Sequence, residues 1–258
     1  MQPILLNFKE LSGHFGLLAK QLLENSHSKY IYLEDKEPAR IEYRNLDEIV
    51  LQESGAPEKF RDRTQIMFMP TVAKVDSYFK ELLEACAKEP GRLGLALLST
   101  NLDKTWVSVF TSLRRLNFMQ INIEFNEHVM KLLEKFLEYK RLQFLTVFTE
   151  AYSTESSDLF VKFLQQSQFR TLQLRGQHDT FKDRFLAEKN FDKSTGSAIF
   201  WEGTVKLHDD SFELLGLTTG EEVLFQKGNM NISYLNPVTK ETPELFFAGV
   251  TLVKVLFS

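Results

Sequence analysis

The chain has 258 residues, 43% of them apolar and 12% aromatic, with 23 Phe against 2 Trp. That composition fills a sizeable core and excludes a disordered chain. A formal net charge of −4, spread without long like-charge blocks, argues against nucleic acid as the main partner, because phosphate binding needs a concentrated basic face.

The single cysteine, Cys86, rules out an intrachain disulfide and points to a reducing, intracellular setting, cytoplasmic or nuclear. Residues 1–7 lack a basic region and hold only a three-residue apolar run, so no signal peptide is expected. No apolar run approaches the ~20 residues that a membrane helix needs.

Residues 1–60 are expected to form a helix and a β-hairpin. Phe8, Leu11, Phe15, Leu18, Leu22 and Leu23 share one helical face over residues 8–24, weakened at Gly13 and Gly16. Residues 29–33 and 40–43 alternate around a polar connection at 34–38, which is a hairpin pattern. Residues 54–57 read as a loop.

Residues 61–193 carry a degenerate repeat. Strand anchors recur at Ile66, Leu93, Leu116, Leu142 and Phe169, in steps of 27, 23, 26 and 27 residues, each followed by an amphipathic stretch. One strand plus one helix fits that period, so the expected fold is α/β, a short leucine-rich-repeat-like solenoid of about five units.

The helical stripes are Val75, Phe79, Leu82, Leu83, Cys86; Trp106, Val109, Phe110, Leu113; Val129, Leu132, Leu133, Phe136, Leu137; and Leu159, Phe160, Phe163, Leu164. Cys86, lying on the first, is expected to be a packing thiol. Residues 153–157 offer N-caps, and right-handed connections place the helices on one side of a parallel sheet.

Strand alternation turns Met119, Ile121, Ile123, Leu145, Val147, Leu172 and Leu174 toward those helices. Gln120, Asn122, Thr146, Gln173 and Arg175 then share the opposite face. Leu98, Phe144 and Phe148 fall there too, so either that face has an apolar binding patch or another segment covers it.

Residues 194–258 read as a mostly β cap on the last repeat, built as a meander. Strands are expected at 198–207, 221–226, 229–235, 244–248 and 251–257, with a short helical piece at 211–215.

Chemistry-bearing motifs are absent from the pattern. His14, His27, His128, His178 and His208 show no metal-ligand spacing, and His208-Asp209-Asp210 reads as a helix cap. No phosphate loop or nucleophile elbow occurs, and no cofactor is expected. The basic pairs Arg114-Arg115 and Lys140-Arg141 suit carbonyls at helix C-termini. An alternative is a small α/β enzyme with a site at the C-terminal ends of the parallel strands, drawing on Glu124, Asn126, Glu150 and His178.

Three further stretches stand out: the run Lys9-Glu10-Leu11-Ser12-Gly13-His14-Phe15-Gly16-Leu17-Leu18-Ala19, the strand at 27–33, and the ending Ile232-Ser233-Tyr234-Leu235-Asn236-Pro237. With the degenerate repeats, their layout resembles a nematode-expanded group of F-box-type proteins with an associated leucine-rich-repeat-like region. The resemblance implies a substrate receptor of a cullin-type ubiquitin ligase, its F-box helices docking a Skp1-type adaptor and its repeats selecting the target. About 26 residues precede the first strand here, so the F-box is incomplete and no docking residue is carried over. The expected function is a non-enzymatic protein-binding module. Its partner-facing residues are Gln120, Asn122, Phe144, Thr146, Phe148, Gln173 and Arg175, with neither nucleic acid nor membrane as partner.

Overall fold

A computed structural model describes residues 13–35, 38–45, 49–51, 61–70, 75–148 and 154–175, together with five later strands. The chain is α/β and divides into two compact units, Met1–Asn117 and Phe118–Ser258, each with both parallel and antiparallel strand pairs. No helix among the described residues is long and apolar enough to cross a membrane.

The first unit runs α1 (His14–Asn25), β1 (His27–Leu33), β2 (Arg40–Asn45), β3 (Val50–Leu51), β4 (Arg61–Phe68), α2 (Ser77–Lys88), β5 (Arg92–Leu97) and α3 (Lys104–Ser112). Its strand order is β3-β2-β1-β4-β5. The expected hairpin is the antiparallel β1–β2 pair, and β4 pairs in parallel with both β1 and β5. Helix α1 starts after Gly13, whose φ of +89° lies in the left-handed region. Residues 8–12 of the expected helix, and the loop at 54–57, lie outside the described residues.

One assignment in α1 is corrected. Leu18 was expected on the packed face but is 44% exposed, whereas Ala19 is buried at 3%. The helix turns its small residues, Gly16 and Ala19, inward. A stripe drawn through bulky residues misses a contact made by residues without bulk.

Three of the helices that follow repeat strands are capped at a repeating position. Asp76, Asp103 and Asn126 each stand ten residues after the anchors Ile66, Leu93 and Leu116. Their side-chain oxygens accept from backbone N–H groups: Phe79 at 2.9 Å, Thr105 and Trp106 at 2.8 and 2.9 Å, His128 and Val129 at 3.0 Å each. This satisfies donors that the first helical turn leaves open.

The core of the first unit forms where those helices meet the strands. Phe68 of β4 meets Trp106 and Phe110 of α3 edge-on, with ring centroids 5.0 and 5.5 Å apart. Phe79 of α2 approaches Trp106 at 6.1 Å. Ile31 and Leu33 stand in register with Ile66 and Phe68, so β1 extends the same buried face.

Glu89 latches the end of α2 to two strands. Its carboxylate accepts from Lys29 Nζ at 2.6 Å and Thr64 Oγ1 at 3.1 Å, and pairs with Arg61 Nη1 at 2.8 Å. Arg115 donates to the Glu89 and Gly91 carbonyls, so this arginine serves the end of the preceding helix, not its own. Gly91 takes φ +87°, and a Cβ there would sit 2.8 Å from the Asp62 carbonyl oxygen. Cys86 is buried beside this cluster, and burial pushes its thiol up to about 11.

The second unit begins within β6 (Leu116–Ile121) and continues through α4 (Glu127–Tyr139), β7 (Phe144–Val147), α5 (Thr154–Leu164), β8 (Thr171–Arg175), β9 (Gly196–Trp201), β10 (Glu213–Thr218), β11 (Glu222–Lys227), β12 (Met230–Leu235) and β13 (Leu252–Phe257). Strand order is β6-β7-β8-β9-β13-β12-β11-β10, parallel as far as β9 and antiparallel beyond it. Met119, Ile121, Leu145, Val147, Leu172 and Leu174 are all fully buried. So are Val129, Leu132, Leu133 and Phe136 of α4 and Phe160, Phe163 and Leu164 of α5. The aliphatic strand set therefore faces the helical stripes.

The C-terminal strands form a meander that pairs in the plane of the sheet, continuing it past β9. The expected helical piece at 211–215 is corrected, since Glu213–Thr218 is a strand paired with β11. An apolar run this short has no periodicity to separate the two states, and a register shift between Leu214 and Gly216 breaks its alternation further. The strand expected at 244–248 lies outside the described residues.

Candidate functional site

In the second unit the polar strand residues align across the sheet. Gln120, Thr146 and Gln173 stand in one register row on β6, β7 and β8, with Phe118, Phe144 and Thr171 in another. Gln120 Nε2 donates to Asn122 Oδ1 at 2.9 Å, and Thr146 Oγ1 donates to Gln173 Oε1 at 3.3 Å. The Phe118 and Phe144 rings are tilted at 6.4 Å between centroids. Asn122 is exposed; Gln120, Phe118, Phe144 and Gln173 are half-buried. Thr146, between the two glutamines, is 6% exposed.

Phe148 is half-buried just past β7, its N–H donating to the Ile121 carbonyl at 2.8 Å. Arg175 ends β8 in register with Trp201. Five of the seven expected residues thus fall into one hydrogen-bonded, partly aromatic array, and Phe148 and Arg175 sit at strand ends beside it.

The first unit carries a second array that the sequence reading missed. Arg44, Ser28, Arg63 and Arg92 form one cross-strand row over β2, β1, β4 and β5. Glu42, Tyr30, Gln65 and Gly94 form the next, and Arg40, Tyr32, Met67 and Ala96 a third. The guanidiniums roof the phenols. Arg40 Cζ lies 3.7 Å from the Tyr32 ring centroid, and those of Arg44 and Arg63 lie 4.9 and 5.7 Å from that of Tyr30. Tyr30 and Tyr32 are consequently only 8% and 7% exposed.

Glu42 organises this array. It accepts from Arg44 Nη2 at 2.7 Å, from Tyr32 Oη at 3.1 Å and from Arg40 Nη1. The Arg44 hydrogen bond holds its carboxyl below the usual carboxylate range, and the same bond raises Arg44. Burial raises Tyr32. Arg63 donates to Tyr30 Oη at 2.7 Å and Ser28 Oγ at 3.2 Å. The available signal was the alternation Arg40-x-Glu42-x-Arg44, which puts all three on one face of a strand. Arg63 and Arg92 join them only through the parallel β1–β4–β5 pairing, which spacing along the chain does not show.

For the enzyme alternative, Asn126 is occupied as the cap of α4 and Glu124 is exposed. Glu150 and His178 lie outside the described residues, and among the described residues no group of three or more His, Cys, Asp or Glu could hold a metal ion. No protein-family model, curated protein or solved structure matches the chain.

Proposed function

We propose that this chain is a non-enzymatic protein-binding module, a short leucine-rich-repeat-like solenoid that engages its partner through the sheet face turned away from the helices. Parallel strands laid down in chain order and caps recurring at one repeat position support the solenoid reading. The observation that carries the binding reading is the Gln120–Thr146–Gln173 row beside the tilted Phe118–Phe144 pair. Half-exposed aromatics next to amides offer both apolar area and hydrogen bonds, the mixture that protein interfaces use. The layout of α1 and the repeats adds a role as substrate receptor of a cullin-type ubiquitin ligase, with a Skp1-type adaptor as second partner.

The test is site-specific photo-cross-linking. A benzophenone side chain at Gln120 should give a discrete protein adduct in cell extract, and one at Lys131, exposed on α4, should not. Replacing Gln173 and Arg175 by alanine should abolish the adduct and leave the thermal midpoint unchanged. Equal adducts from both positions, or a sharp loss of stability in the double variant, would overturn the assignment of this face. Immunodetection of adaptor and cullin subunits in the same extract checks the ligase role.

A further inference from the structure

We propose that the sheet face of the second unit takes an extended, uncharged segment of its protein partner, laid across β6, β7 and β8 and held by its main chain. The inference rests on the protein-binding reading above and adds the conformation and chemistry of what is bound. Two internal hydrogen bonds set the glutamines in opposite senses. Gln120 Nε2 is engaged by Asn122 Oδ1 at 2.9 Å, which leaves its Oε1 as an acceptor. Gln173 Oε1 takes the Thr146 hydroxyl at 3.3 Å, which leaves its Nε2 as a donor. Neither remaining atom has a partner among the described residues.

The spacing of that acceptor and donor fits a polypeptide. Gln120 and Gln173 stand in one register row, two strand spacings or about 9.6 Å apart at their backbones. In an extended chain the N–H of one residue and the C=O of the next but one point the same way, about 10 Å apart over three residues. Such a segment, crossing the strands from β6 to β8, donates to Gln120 and accepts from Gln173. Its side chains then alternate along the strand direction, one set toward Phe118 and Phe144 and the other toward Asn122. Same-side residues lie about 6.6 Å apart in the segment. The two phenyl rings are 6.4 Å apart between centroids, so each meets one side chain. Neither row holds a charged residue over β6, β7 and β8. Alternation of apolar and uncharged polar residues therefore suits this face, and the phosphates of a nucleic acid have no counterpart there.

Fluorescence anisotropy tests this with a fluorescein-labelled heptapeptide alternating threonine and leucine, titrated with the full chain. Saturable binding is expected, and a fully N-methylated version, which has lost its N–H donors, should not saturate. Two isosteric variants read the assigned senses. Gln173→Glu removes the donor and should weaken binding roughly tenfold or more, whereas Gln120→Glu keeps an acceptor and should not. A peptide with glutamate in place of leucine should also bind roughly tenfold more weakly, since it sets charge against Phe118 and Phe144. If Gln173→Glu melts early, the methylated peptide on the unaltered chain is the deciding measurement. Absent saturation, equal binding of the methylated or glutamate peptide, or equal losses in the two variants would each overturn the proposal. A discrete Gln120 cross-link without peptide binding would mean a folded partner surface on the same face, and loss of both would remove the face as a binding site.

Discussion

Glu89 accepts from Lys29 and Thr64 and pairs with Arg61, and the two cations are among the least exposed charged side chains described. Removing a carboxylate from such a cluster strands buried positive charge, a loss of about 3–5 kcal/mol. Glu89→Ala should therefore lower unfolding free energy in urea by about that amount; a change below ~1 kcal/mol would mean that water already screens the cluster. Glu42 makes a different prediction. Its folded-state pKa is lowered, so its contribution is present above the unfolded value of about 4.3 and is lost as pH falls through the lowered folded value. Between about pH 5 and 3, stability should fall more steeply in the wild type than in Glu42→Gln. Parallel slopes would show that the Arg44–Glu42 bond adds nothing to folding.

At the scale of elements, the strand-helix alternation was legible because anchors and stripes follow two distinct periods. Phe136, Phe160 and Phe163 sit where the helical spacing puts them, all fully buried. Leu18 was misread because α1 packs through Gly16 and Ala19, and the 213–218 strand because its apolar run is too short to show a period. The recurring caps carried the same periodicity in polar residues, at Asp76, Asp103 and Asn126, each ten residues beyond its apolar anchor. Asp103 caps two N–H groups at the start of the helix that supplies Trp106 to the core. Asp103→Ala should cost about 1 kcal/mol in thermal or urea unfolding, and Asp103→Asn much less, since an amide oxygen accepts the same bonds. Equal losses in both would point to charge at the helix N-terminus as the larger effect.

For the molecule as a whole, the two sheet arrays differ in how far sequence could reach them. Gln120, Thr146 and Gln173 each follow one residue after a buried aliphatic, so alternation within each strand already placed them on a common face. The arginine row depends on β4 pairing in parallel with β1 from the preceding hairpin, a long-range choice that no local period encodes. The proposed solenoid has its own mechanical consequence. Each unit of such a stack is stabilised by its immediate neighbours, so damage stays local. Leu133 of α4 is fully buried, and Leu133→Ala should cost about 2–5 kcal/mol. Native-state hydrogen exchange should then show amides of β6 and β7 losing most of that protection while amides of β1 and β4 keep theirs. Uniform loss across all four strands would mean that the chain unfolds as one cooperative body, and the nearest-neighbour description of its stability would have to be given up.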